Sequence, residues 1–305
     1  MHFNRLDLNL LVAFDALMEE CSITRAGERL HLSQPAVSGA LARLREYFGD
    51  QLLTQVGRKM IPTPLAISLQ PRIRSILMQI QATVETRPTF DPATAFRHFR
   101  VAASDYVVSV LLVQLLAQLA KIAPGITIEL LSMGDKLEEA MNRGEVDLMV
   151  TPKEYLNTAH CAQELFVDDF VCAVWQGNSI IGETITKEEY QQVGHIGIRF
   201  GNISRATTVD ERLMAQKGLQ RRYEVFAYDF NTAVQLLLGT NRILTSHRKL
   251  AEYYAQMMPL RILPLPFALS PLREYITWHK YQDNDLGNIW LREFMVTTAN
   301  TSWGA

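Results

Sequence analysis

The chain has 305 residues, 48% hydrophobic and 20% charged, with a formal net charge of −2. That length suits two or three domains with ordinary apolar cores, and the balance excludes a chain that is basic throughout. Three cysteines (Cys21, Cys161 and Cys172) form no CxxC pair, which excludes a disulfide framework and points to a reducing compartment.

Asp7, Asp15 and Glu19 interrupt any N-terminal apolar run, so no signal peptide is expected. Leu8, Leu11, Phe14, Ala16 and Leu17 make an apolar stripe on a first helix. Residues 24–46, TRAGERLHLSQPAVSGALARLRE, read as two helices around a break at His31-Leu32. Ala26 and Leu30 share a face of the shorter one. Ser33 is a good N-cap for the next, and Pro35 falls where a missing N–H costs nothing. Val37, Leu41 and Leu44 line its inner face, and Gln34, Ser38 and Arg43 its outer face. This is the layout of a helix-turn-helix, whose second helix reads base edges in the major groove. A plain helical hairpin would look similar, so the flanks decide. Residues 50–63, DQLLTQVGRKMIPT, read as two short strands around Val56-Gly57-Arg58-Lys59, a wing with Arg58 and Lys59 placed to meet phosphates. The residues expected at DNA are Arg25, Ser33, Gln34, Pro35, Ser38, Arg43, Arg58 and Lys59. From Pro64 a long helix carries Leu69, Ile73, Ile76, Ile80 and Val84 in a stripe that wants a partner, most simply the same helix of a second subunit. Pro71 inside it predicts a kink or a lost hydrogen bond. Residues 22–74 hold eight Lys/Arg and three acids, a local +5 against −7 elsewhere, as a DNA reader on an acidic body would.

Pro88 and Pro92 end the long helix. The expected divisions are a winged head over 1–63, a linker helix over 64–87 and a third part over 88–305. Within the last, strands at 96–103, 126–132 and 146–151 alternate with helices at 105–122 and 136–143. The apolar stretch 107–120 is too short to span a bilayer, so the chain is expected to be soluble and cytoplasmic, with no membrane partner. A second α/β unit runs from about 163 to 263. Its strands are expected at 169–174, 195–199, 223–227 and 242–246, and its helices at 208–217, 231–239 and 249–255. A strand at 274–279 and a helix at 287–298 return to the first unit. The result is a hinged clamshell of lobe I (about 95–160 and 268–305) and lobe II (about 161–267). A ligand would lie where strand ends and helix N-termini converge. The residues at those ends are Ser104, Asp105, Tyr106, Met133, Thr151, Phe200, Asn202, Arg205, Tyr228, Phe230, His247 and Phe267. This mostly apolar set with a few polar groups suits a small aromatic compound, with Arg205 or His247 holding a carboxylate or phenolate. Read singly, each aromatic is equally a core residue, Ser104 a helix cap and Arg205 a surface ion pair.

Three blocks, LDLNLL…FDAL, RAGERLHLSQPAVSGALARLRE and FGDQLLTQVGRKMIPTPLA, resemble the LysR-type transcriptional regulators, and the resemblance extends along the whole chain. LTQVGRKMIPTPLA followed by Leu69-Gln70-Pro71 is similar to the branch of nodulation-gene activators and aromatic-degradation regulators. The resemblance implies an α/β chain with an N-terminal winged helix-turn-helix, a dimerising linker helix and a two-lobed effector domain like that of periplasmic binding proteins. It further implies homodimers joined into a homotetramer on promoter DNA, a small aromatic co-inducer with no other cofactor or metal, and contact with RNA polymerase. Effector binding would shift the clamshells and alter the DNA bend, usually to activate, with repression of the regulator's own promoter. Gly39 departs from the family, which often has a basic or polar side chain there. No GxSxG, HExxH, P-loop or GxGxxG occurs and the seven histidines are scattered, so no enzyme is expected. Two other uses of the C-terminal part stay open: assembly alone, or redox sensing through Cys161 and Cys172.

Overall fold

The computed structural model describes residues 6–56, 59–85, 89–134, 136–200 and 208–303. The chain divides into two units, Met1–Thr86 and Arg87–Ala305.

In the first unit α1 (Leu8–Glu20), α2 (Ile23–Leu30) and α3 (Gln34–Phe48) each begin at a residue whose side chain caps a backbone N–H: Asp7, Ser22 and Ser33. Each ends at a residue in the left-handed region: Cys21, His31 and Gly49. Caps at both ends satisfy backbone groups that the helices leave unpaired. The wing follows as β1 (Leu53–Val56) and β2 (Lys59–Pro62), antiparallel with Val56 opposite Lys59. Then comes α4 (Pro64–Glu85). Phe14 and Leu17 from α1, Ala26 from α2, Val37, Leu41 and Leu44 from α3, and Ile73 from α4 share one core. A Cβ added to Gly27 would stand 2.8 Å from the Leu32 carbonyl oxygen, so only glycine lets α2 approach the turn this closely. α4 continues through Pro71, which has no N–H to offer the Ile67 carbonyl. The expected stripe on α4 divides. Ile73 is buried and Leu69 and Leu77 pack on the head's own core, while Ile76 is 45% exposed. The Val84 side chain lies outside the described residues.

The second unit holds two five-stranded sheets. Its elements are β3 (Arg97–Ala102), a continuous helix made of α5 (Asp105–Val107), a π-turn (Val108–Leu112) and α6 (Val113–Ile122), then β4 (Ile126–Leu131), α7 (Leu137–Asn142), β5 (Leu148–Pro152), β6 (Cys161–Asp168) and β7 (Phe170–Trp175). There follow α8 (Lys187–Gln192), β8 (Gly194–Ile198), α9 (Val209–Gln216), β9 (Arg222–Ala227), α10 (Phe230–Gln235), β10 (Ile243–His247), α11 (Arg248–Ala255), β11 (Leu260–Pro264), β12 (Leu272–Trp278) and α12 (Leu286–Trp303). The first sheet has the order β4-β3-β5-β12-β6 and the second β11-β7-β10-β8-β9. β3, β4 and β5 are mutually parallel, and β12 runs antiparallel between β5 and β6.

Two expectations need correction. β6 pairs with β12 along its length, so residues 161–168 belong to the first sheet and lobe II begins after Asp168 rather than near 161. The helix Asp105–Ile122 is, by length and hydropathy, long enough to cross a membrane, contrary to the reading of 107–120. It instead joins the parallel strands β3 and β4, with Val107, Leu111, Leu115 and Leu119 buried in the core.

The chain passes between lobes twice. The outward passage follows Asp168, opposite Leu272 in the first sheet. The return follows Pro264, opposite Val171 in the second.

Candidate DNA interface and interlobe site

On α3 the inner residues Val37, Leu41 and Leu44 are buried, while Ser33, Gln34, Pro35, Ser38 and Arg43 are exposed. A Cβ on Gly39 would meet nothing within 4 Å, so the outer face is flat and open there. Ser33 Oγ accepts from Ala36 N at 3.4 Å, capping the helix. Arg25 is tied to Glu20 at 3.2 Å and Arg43 lies 3.9 Å from Asp7. Arg29 pairs with Glu19, and Arg74 with both Asp15 and Glu19. Those acids precede residue 22, so the excess of +5 counted over 22–74 overstates the free charge of the head. Arg45 is also engaged: Nε donates to the Gln51 carbonyl at 2.8 Å and Nη2 to that of Leu53 at 2.7 Å. Lys59 is exposed. Arg58 lies outside the described residues.

Between the lobes the structure gathers Tyr106, Phe230 and His247. Tyr106 is fully buried, with ring centroids 4.0 Å from His247 and 5.9 Å from Phe230. Phe166 and Phe170 join from β6 and β7, and Phe200 meets Phe230 at 5.4 Å. Sequence reasoning missed these two β-strand phenylalanines. The Tyr106 hydroxyl donates to Asp168 Oδ2 at 2.6 Å, and Asp168 also accepts from Lys249 N at 3.2 Å. Asp105 Oδ2 accepts from Asn231 N at 2.6 Å. Two lobe I carboxylates therefore cap the starts of two lobe II helices, α11 and α10. Ser104 Oγ accepts from Val107 N at 3.3 Å and serves as the N-cap of α5.

The remaining expected residues do not converge there. Met133 packs on a separate cluster with Met141 and Met149. Phe267 packs against Tyr190, 5.1 Å away, on a second lobe II cluster. Tyr228 is 73% exposed. Thr151 is buried opposite Tyr275 in the first sheet. Asn202 and Arg205 lie outside the described residues.

Burial governs the charges. His247 is pushed down to about 4 by desolvation, so at neutral pH the ring is uncharged and does not supply the positive partner expected for a carboxylate. Burial raises Asp168 to about 6, against the pull of Tyr106 and Lys249. Glu274, unremarked in the sequence, is 3% exposed, and its Oε2 has no hydrogen-bond partner among the described residues. Burial, and then the charges of Glu154 and Asp168, raise it to about 8. Cys161 and Cys172 are free and lie in different sheets, and burial raises both thiols. Neither is the exposed, low-pKa thiol that redox sensing needs. No group of three or more His, Cys, Asp or Glu among the described residues is placed to hold a metal ion.

Residues 8–66 match the family described as bacterial regulatory helix-turn-helix protein, lysR family, and residues 94–299 match the LysR substrate binding domain. The chain belongs to the LysR family. It is a sequence-specific DNA-binding transcriptional regulator. Among similar LysR proteins, nodulation protein D 2 of Rhizobium tropici is 40% identical over 300 residues, covering 98% of this chain and 95% of the relative. Nodulation protein D 1 of Rhizobium meliloti (strain 1021) is 40% identical over 300 residues, covering 98% and 97%. A probable transcriptional regulator of Pseudomonas aeruginosa shares the fold at TM-score 0.64 and 29% identity, over 96% of this chain and 97% of that one. The full-length regulator CbnR, solved with its target DNA, aligns at TM-score 0.53 and 18% identity over 96% and 100%; at that identity the likeness concerns the fold.

Proposed function

We propose that this LysR regulator is an activator gated by a small aromatic effector held between its lobes. Gln34 and Ser38 read base edges. Ser33, Lys59 and Arg58 meet phosphates, and Arg25, Pro35 and Arg43 border the contact. Two chains pair through α4, pairs join into tetramers, and the assembly acts on promoter DNA and RNA polymerase in the cytoplasm. The observation that carries the effector reading is the ring cluster of Tyr106, Phe230 and His247 where lobe I carboxylates cap lobe II helices. An aromatic ligand that binds one lobe arrangement better than another shifts the equilibrium by that difference. Asp105 and Phe200 border this junction in the reading. Asn202 and Arg205 remain its candidate polar groups.

The test is Phe230→Leu, which keeps apolar bulk and removes the ring. Promoter-DNA affinity and transcription in response to a panel of phenols and aromatic acids are measured on the same full-length variant. The expected result is lost response with DNA affinity intact. A full response would place the effector elsewhere.

A further inference from the structure

The corner between α3 and the wing is held more firmly than a short loop requires. Gly49 closes α3 at φ +64°, and Leu52 adopts φ +58° although its side chain is completely buried. A bulky residue at positive φ persists where its surroundings over-determine it. Here they do so from two sides. Asp50 Oδ1 accepts from Leu52 N and from Thr63 Oγ1, both at 2.6 Å, and Thr63 Oγ1 accepts from Ala66 N in the first turn of α4. From the helix side, the Arg45 guanidinium donates to the carbonyls of Gln51 and Leu53. A guanidinium is a rigid planar fork, so two bonds from it fix both carbonyls relative to the helix that carries it.

We propose that Arg45 is a positioning residue for DNA binding: it touches no phosphate, but fixes the wing's angle on the recognition helix so that Lys59 meets the backbone while Gln34 and Ser38 lie in the groove. This rests on the phosphate role proposed for Lys59. Leu53 starts β1, and Val56, opposite Lys59, ends it. Three residues of strand span about 10 Å, so a tilt of about 10° at Leu53 displaces Lys59 by about 2 Å. A phosphate hydrogen bond does not survive that displacement.

The test uses full-length protein and a duplex selected by the wild type from a random library, with affinity measured from 50 to 200 mM salt. Lys59→Gln should make the salt slope shallower by about one unit per head, so that wild type loses about fourfold more affinity per head across that range. Arg45→Lys keeps the charge but breaks the fork. It should match the slope of Lys59→Gln, and the double variant should lose nothing further, with the selected base preferences unchanged. Arg45→Gln, which retains one donor, replaces it should Arg45→Lys melt below the assay temperature. A wild-type slope in the Arg45 variants, with Lys59→Gln shallower, overturns the proposal alone. Additive slopes would make Arg45 a phosphate ligand itself, also overturning it. A wild-type slope in Lys59→Gln removes the wing's phosphate role and Arg45's with it.

Discussion

Glu274→Gln should abolish a pH dependence of stability that the buried acid imposes on the second unit. The folded chain holds Glu274 protonated up to about 8, because burial, reinforced by the charges of Glu154 and Asp168, disfavours the carboxylate, whereas its ordinary value is 4.5. Between those values the native state carries a proton that the unfolded chain has released. Native stability therefore falls as pH rises, by about 1.4 kcal/mol per unit, and levels off above the folded value. Glutamine has the same shape, takes up no proton, and leaves the rest of the site unchanged. From pH 5 to pH 7 the variant should gain about 2–3 kcal/mol on wild type. All four tryptophans (Trp175, Trp278, Trp290 and Trp303) lie beyond residue 87, so guanidinium unfolding followed by tryptophan fluorescence reports the relevant unit in the intact chain. A gap that stays constant with pH, or a variant that falls behind at pH 8, would mean that Glu274 is ionised and paired, refuting the reasoning.

Gly27→Ala gains about 1 kcal/mol of helix propensity but sets a methyl 2.8 Å from a backbone carbonyl. Overpacking against backbone costs about 1–3 kcal/mol, so the head should lose stability, seen as a lower melting temperature by far-UV circular dichroism and weaker DNA binding. Gly39→Ala meets nothing and should instead raise the head's stability by up to about 1 kcal/mol; a lower melting temperature would show that the outer face is not open. Gln34→Ala should reduce specific affinity by about 1–3 kcal/mol and relax one base position per half-site, whereas an unchanged selection profile would remove Gln34 from the reading set.

The head was legible because its signals are local. Ser33, Pro35 and the spacing of Val37, Leu41 and Leu44 each act within one or two turns, and the helix formed where they placed it. Residues 161–168 were not legible as a strand and fell to lobe II for the opposite reason: the sheet of β6 is decided by pairing with β12, over a hundred residues later, which no local pattern encodes. A strand-end position gave a side chain's address but not its direction, so Tyr106 and Phe230 met while Tyr228 faced solvent. Arg45 looked like free positive charge because composition cannot distinguish a guanidinium bound to carbonyls from one facing DNA. Glu274 was within reach. In the strand LREYITW it alternates with Leu272 and Ile276, both buried, which puts a carboxyl on a core face.

The two passages between the lobes are hydrogen-bonded neighbours at both ends: Asp168 lies opposite Leu272 on one side and Val171 opposite Pro264 on the other. A single connecting strand would act as a swivel. Two segments tied side by side at both ends resist twisting of one lobe on the other more than one would. Opening and closing across the paired passages is then the least restrained motion, so the proposed effector, whatever it touches, would act mainly through how far the lobes open.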